Sequence, residues 1–292
     1  MTEPISAWPR PLVDTAWLEA RLGHPGLRIL DATVHLHPTP ESDYRQESGR
    51  ADFENGHIPG AVFADLIDEL SDKATGLRGM MPDADRFAAA MARLGVGEGS
   101  FAVLYARGTN AFAARLWWML RAVGFDDAAV LNGGWTKWEA EGRPVTREKT
   151  IWPPARLVAR PRLGLFADKD AVRSALDDPE VVIVNALSEE QHRGTGGLSY
   201  GRAGRVPGSV NVPAQMLRDP VTAEIIDTTA LGEAFDRAGV EADKAVIAYC
   251  GGGVAVCLDA LALTMLGFDR VAVYDGSMHE WAKDPSLPVE TG

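Results

Sequence analysis

Two cysteines, Cys250 and Cys257, are present in 292 residues, and the first stands in a segment suited to nucleophilic chemistry. Tyr249-Cys250-Gly-Gly-Gly-Val-Ala255 joins an apolar, strand-like run to a run with helical periodicity. Three consecutive glycines open backbone conformations that other residues rarely adopt. Successive N–H groups of such a loop can turn inward as an anion-binding nest. The helix beginning near Val254 adds its positive end to the same spot. A sulfur held there is favoured as the thiolate, the form that attacks. The amides of Gly251, Gly252, Gly253, Val254 and Ala255 would equally suit a persulfide, whose charge lies on the outer sulfur. Cys257, seven residues further on within the helix, reads as a small buried hydrophobe.

The elements that position Cys250 are written twice in the chain. Phe101–Tyr105, a loop, the helical run Phe112–Gly124 and the apolar run Ala128–Leu131 are answered by Ala245–Tyr249, a loop, Val254–Gly267 and Val271–Tyr274. Gly56-His-Ile-Pro-Gly60 is answered by Gly204-Arg-Val-Pro-Gly208, and Arg28–Ala32 by Val182–Ala186. The matched blocks predict two homologous domains, over 8–145 and 163–292, joined by a proline-bearing linker over 146–162. Continuous apolar strands alternating with helices predict an α/β fold, each domain a mostly parallel sheet flanked by helices. Gly124 and Gly267 are expected to cap their helices. Residues 36–56 and 188–204 are polar and aperiodic and read as long loops. The first copy has Ala106 where the second has Cys250, so one domain is reactive and the other a scaffold.

On these motifs, together with Asp275-Gly-Ser…Trp281 and the following Pro285-Ser-Leu-Pro288, the chain resembles the tandem-domain rhodanese family of thiosulfate and 3-mercaptopyruvate sulfurtransferases. The resemblance implies two rhodanese-like domains, an inactive first copy and a site at the domain interface. It implies that Cys250 takes sulfane sulfur from a small anionic donor, becomes a persulfide and passes the sulfur to cyanide or a thiol, with no cofactor and no metal. This sequence departs from the family's loops. Gly252 and Ala255 replace the serine and threonine of the mercaptopyruvate branch, and Gly251 and Gly252 replace the basic pair of the thiosulfate branch. The His and Asp that serve the family's serine align near Gly79 and Ile67. Of the donor-binding arginines, the first aligns near Gln191, beside Arg193, and Arg202 is the nearest candidate for the second.

Other classes fit less well. The formal charge of -12 opposes nucleic acid and anionic membranes, and no apolar run approaches the roughly 20 residues of a membrane span. The start, Met1–Arg10, lacks the basic and apolar regions of a secretory signal, and two cysteines suit a reducing cytoplasm. Val256 stands where a cysteine phosphatase needs its phosphate-clamping arginine. His35 and His37 could share one side of a strand, but no third ligand is evident. Trp117, Trp118, Trp135 and Trp138 read as core. Because two domains of one chain can form a shared cleft, a monomer is sufficient. The alternative to catalysis is a non-catalytic rhodanese-type module that binds a partner or senses sulfide or oxidants.

Overall fold

The computed structural model describes residues 7–39 and 43–292; most of the segment read as free of a secretory signal, residues 1–6, lies outside them. The first half runs β1 (Leu12–Val13), α1 (Thr15–Glu19), β2 (Leu27–Asp31), β3 (Val34–Pro38), β4 (Tyr44–Ser48), α2 (Arg50–Asn55), β5 (Ala61–Phe63), α3 (Ala84–Arg93), β6 (Phe101–Tyr105), α4 (Ala111–Ala122), β7 (Ala128–Leu131) and α5 (Gly134–Ala140). The second runs β8 (Phe166–Ala167), α6 (Lys169–Ala175), β9 (Val181–Asn185), α7 (Glu189–Arg193), β10 (Val210–Asn211), a 3-10 turn (Ala214–Leu217), α8 (Thr228–Arg237), β11 (Ala245–Tyr249), α9 (Val256–Met265), β12 (Val271–Tyr274) and α10 (Ser277–Trp281).

The two large sheets have the same topology, β1-β7-β6-β2-β5 and β8-β12-β11-β9-β10, with every pairing parallel. Their central strands are apolar along their length because helices cover both faces; all five residues of β6 are buried. The repeat extends to single side chains. Asp31, ending β2, accepts the amide of Thr33 at 2.9 Å, and Asn185, ending β9, accepts that of Leu187 at 2.9 Å. His57 bridges the backbone of Thr146 and Arg205 that of Glu290, so each Gly-x-x-Pro-Gly segment clasps the end of its own domain. Gly124 and Gly267 take φ +84° and +87° just past α4 and α9, as capping glycines do. Trp117, Trp118, Trp135 and Trp138 are all buried.

Two expected loops contain regular structure. The described residues of 36–56 belong to the antiparallel hairpin β3–β4, Val34 opposite Ser48 and Pro38 opposite Tyr44, and to α2 that follows it. A hairpin carrying His35, His37, Arg45 and Glu47 on a solvated face has too few apolar positions to show its period. Within 188–204, α7 opens on a reciprocal cap between Ser188 and Gln191. Residues 146–162 run along the first domain: the Ala155 amide bonds Ala92, Arg160 bonds Val123, and Trp152 lies beneath the Arg28 guanidinium at 3.9 Å. Among the described residues no helix is long and apolar enough to cross a membrane.

The halves share one hydrophobic core, in which α4 packs on α9. Polar ties cross the same seam: Trp118 Nε1 donates to Leu165 O at 2.9 Å and Arg121 to Thr264 Oγ1 at 3.0 Å. Asp259 of α9 is fully buried, and neither carboxylate oxygen has a partner among the described residues. Burial therefore holds its carboxyl well above the ordinary 3.8, in the neutral form. Near pH 3 both folded and unfolded chains carry this proton. Above about pH 4 the unfolded chain releases it and the folded chain keeps it, so Asp259 lowers stability by up to ~1.4 kcal/mol per pH unit. Asp259→Asn should remove that contribution, so that chemical denaturation finds the variant gaining on the parent from pH 4 to 7. A constant difference between the two across that range would show that the carboxyl is not buried as a neutral acid.

Candidate active site

Cys250 directly follows β11, the central strand of the second sheet, at its carboxyl end. Its residue is only 2 % exposed, yet it contributes to the wall of a pocket of about 130 Å³ between the halves. Leu36, Pro38 and Tyr44 of the hairpin form one side, and Leu187, Leu198, Tyr200, Val254 and Ala255 the other.

The cysteine loop is fixed from behind. The amides of Cys250 and Gly253 both donate to Ser277 Oγ at 3.1 Å, and that hydroxyl donates to Tyr274 O at 2.7 Å. Ser277 holds this position at φ +49°, a left-handed backbone uncommon for serine. The Cys250 and Gly251 carbonyls accept the amides of Met278 (3.1 Å) and His279 (2.8 Å). The Gly253 carbonyl accepts Arg115 Nη1 at 3.1 Å. Arg115, a lone cation in the otherwise apolar first turns of α4, is buried, ion-paired to Asp275 at 2.6 Å and bonded to Gly79 O at 2.9 Å. Asp275 in turn accepts the Met81 amide at 2.7 Å. One buried charge pair therefore couples the first domain to the loop.

With the carbonyls so engaged, the amides of Gly251, Gly252, Val254 and Ala255 have no acceptor among the described residues. Gly251 and Gly252 are buried, and backbone donors in such a place require a partner. The expectation for Gly253 is corrected: its amide is spent on Ser277, and its role is conformational, at φ +72° against the Asp275 carbonyl. Gly251 is needed for closeness, since a Cβ there would run into the Tyr200 hydroxyl.

Two phenols cover the loop. The Tyr44 hydroxyl sits over Gly252 and that of Tyr200 over Gly251, with the rings edge to face at 6.2 Å. Burial, reinforced by the charge of a Cys250 thiolate, pushes Tyr44 up to about 12 and Tyr200 higher still, so both keep their protons. Arg78 lies over the Tyr44 ring at 4.6 Å, pairs with Asp43 at 2.5 Å and donates to His279 Nε2 at 3.0 Å. Burial, then the charge of Arg78, pushes His279 down to about 4, leaving a neutral imidazole at pH 7. Cys257, buried with its Sγ on Gly253 O at 3.3 Å, is pushed up to about 12 by burial and stays an inert thiol.

The two arginines expected to bind a donor do not meet Cys250. Arg202 is consumed by structure, its guanidinium donating to the carbonyls of Trp281, Ala282, Asp284 and Leu287 at 2.7–3.2 Å. Arg193 pairs with Glu189 at 2.6 Å and lines another pocket, with His192, Asn211 and Gln215. His35 and His37 do share one side of β3, rings 6.5 Å apart, but they turn to Asp52 and Glu47. No cluster of three metal-ligating side chains occurs among the described residues. Near Gly79 and Ile67, the positions at which the resemblance would have set a His and an Asp, Arg115, Val254 and Phe112 close the space to about 10 Å³.

Tyr44, Tyr200, Arg115 and Ser277 were not singled out from the sequence as site residues. Arg115 had the clearest signal, a charge inside an apolar helical run; the tyrosines had none, because they meet the loop only through tertiary packing. Ser277→Ala orphans two buried amides and should cost about 1–3 kcal/mol for each, read as a lower denaturation midpoint. An unchanged midpoint would mean that the hydroxyl does not hold the loop.

Comparison with known proteins follows the same lines. The rhodanese-like domain family matches residues 14–141 and again 168–284. The 3-mercaptopyruvate sulfurtransferase of Escherichia coli K12 is 32% identical over 287 residues, covering 95% of this chain and 97% of its own. The thiosulfate sulfurtransferase of Gallus gallus is 36% identical over 284 residues, covering 93% of each chain. Among solved structures, the 3-mercaptopyruvate sulfurtransferase SseA of Escherichia coli superposes with a TM-score of 0.80 at 30% identity, covering 91% of this chain and 98% of its own. Two copies of one fold, one bearing a cysteine loop and the other an alanine, place this chain in the rhodanese family.

Proposed function

We propose that Cys250 is the nucleophile and sulfur carrier of this sulfurtransferase. The observation that carries the reading is the set of four unclaimed loop amides around a cysteine that opens on the interdomain pocket. The Cys250 thiolate attacks the terminal sulfur of an anionic donor. The bond between that sulfur and the rest of the donor breaks, its electron pair leaves with the donor remnant, and Cys250 carries an ionised persulfide. A thiophilic acceptor, cyanide or a thiol, then attacks the outer sulfur and restores the thiolate. With thiosulfate the leaving group is sulfite; the names of the relatives make thiosulfate and 3-mercaptopyruvate the first donors to try.

The residues divide this work. The amides of Gly251, Gly252, Val254 and Ala255 and the start of α9 stabilise the negative sulfur without moving a proton. Ser277, Arg115 and Asp275 hold the loop in shape before the donor arrives. Tyr44 and Tyr200, protonated throughout the working range, exclude water and offer hydroxyls. The first domain, with Ala106 at the matching strand end, supplies a wall and no nucleophile. Since one chain provides both walls, a single copy is sufficient.

Intact-protein mass spectrometry tests the reading. A sulfane-sulfur donor should add about 32 Da, one sulfur atom, and the addition should map to Cys250. Cyanide should remove it. Cys250→Ser should lose both the addition and turnover, while Cys257→Ser should retain them. A protein that stays unmodified with thiosulfate, 3-mercaptopyruvate and polysulfide, or that gains sulfur on Cys257, would contradict the assignment.

A further inference from the structure

The walls of the Cys250 pocket define its donor more narrowly. Leu36, Pro38, Tyr44, Leu187, Leu198 and Tyr200 line the pocket together with Cys250, and no lysine, arginine or histidine does so among the described residues. Lys283, beside Gly201, is outside the lining, and three other cations of this region are committed elsewhere. Arg78 is neutralised by Asp43 and lies against the Tyr44 ring, Arg115 is paired with Asp275, and the Arg202 donors are taken by backbone carbonyls. The loop amides are available to the Cys250 thiolate and to the negative terminal sulfur of the donor that meets it, so a donor's first charge is served. A second charge, whether on thiosulfate or on the carboxylate of a mercapto acid, would enter apolar surroundings without a counter-ion and lose hydration that nothing replaces.

From this we infer that the site selects a monoanionic organic sulfane donor with an apolar body, of the alkyl or aryl thiosulfonate type, over inorganic thiosulfate. The inference rests on Cys250 as the sulfur carrier. In the transfer, the Cys250 thiolate attacks the terminal sulfur of R–SO2–S⁻. The sulfur–sulfonyl bond breaks with its electron pair, R–SO2⁻ departs, and Cys–S–S⁻ remains. One anion enters and one leaves; no proton and no outside oxidant or reductant takes part. The R group buries against Leu36, Leu187 and Leu198, replacing water on surfaces that have little else to bind it.

A homologous series tests this, because methane-, propane- and pentanethiosulfonate share one reaction and differ only in apolar area. With cyanide as acceptor, kcat/KM should rise roughly fourfold per added methylene until the pocket is filled, and thiosulfate should fall below methanethiosulfonate. Leu36 is 46% exposed, so Leu36→Lys should fold normally while bringing a cation to the rim. It should raise kcat/KM for thiosulfate several-fold and flatten the alkyl series. A flat series in the parent protein, or thiosulfate turned over better than the pentyl donor, overturns the inference while a persulfide on Cys250 leaves the carrier assignment standing. No persulfide from any of these donors overturns both.

Discussion

A negative sulfur in an enclosed site requires donors that were oriented before it arrived, and on the reading proposed for Cys250 the donors are peptide groups. Their availability depends on what the loop does with its other polar atoms. Ser277 takes two amides on the far side, and Met278, His279 and Arg115 take the carbonyls. The N–H groups of Gly251, Gly252, Val254 and Ala255 keep no acceptor among the described residues, and those four residues line the pocket. Side-chain cations would do the same electrostatic task less rigidly, since long flexible chains must be ordered at an entropic cost. The loop of glycines can do without them because its own dipoles are already fixed.

This arrangement also explains why two domains are needed for one site. The loop belongs to the second domain, but Arg115, the buried cation that grips its Gly253 carbonyl, comes from α4 of the first. Tyr44 and Leu36 come from the first domain's hairpin. The copy with Ala106 at the matching strand end presents a packing face, and that face is half of the pocket. A buried ion pair such as Arg115–Asp275 costs desolvation of both partners; here it is repaid by bonds to Gly253 O, Gly79 O and the Met81 amide, which fix the seam between the domains.

Much of the fold was legible because the repeat showed the same apolar runs twice. The strands Phe101–Tyr105, Ala128–Leu131, Ala245–Tyr249 and Val271–Tyr274 lie where those runs are, since strands buried on both faces need no alternation to be recognised. The hairpin β3–β4 was only half legible: Val34–Pro38 alternates, as a strand carrying His35 and His37 on one side should, but Tyr44–Ser48 has one large apolar residue and shows no period. At the site, Cys250 and its glycines could be read locally. The destination of the Gly253 amide could not, since it depends on Ser277 reaching back from 24 residues away. Arg193 and Arg202 were drawn in by proximity in sequence to a motif, yet their guanidinium groups answer to the nearest unpaired acceptors: Glu189 for one, four carbonyls for the other. Nothing in a linear string reveals which carbonyls will be left over.

The most direct test is a crystal structure of the persulfide-loaded protein. The outer sulfur on Cys250 should lie within hydrogen-bonding distance of at least three of the amides of Gly251, Gly252, Val254 and Ala255, with those of Cys250 and Gly253 still on Ser277. A sulfur turned away from the loop and solvated in the open pocket, with those four amides bound to water or to other protein groups, would contradict the account.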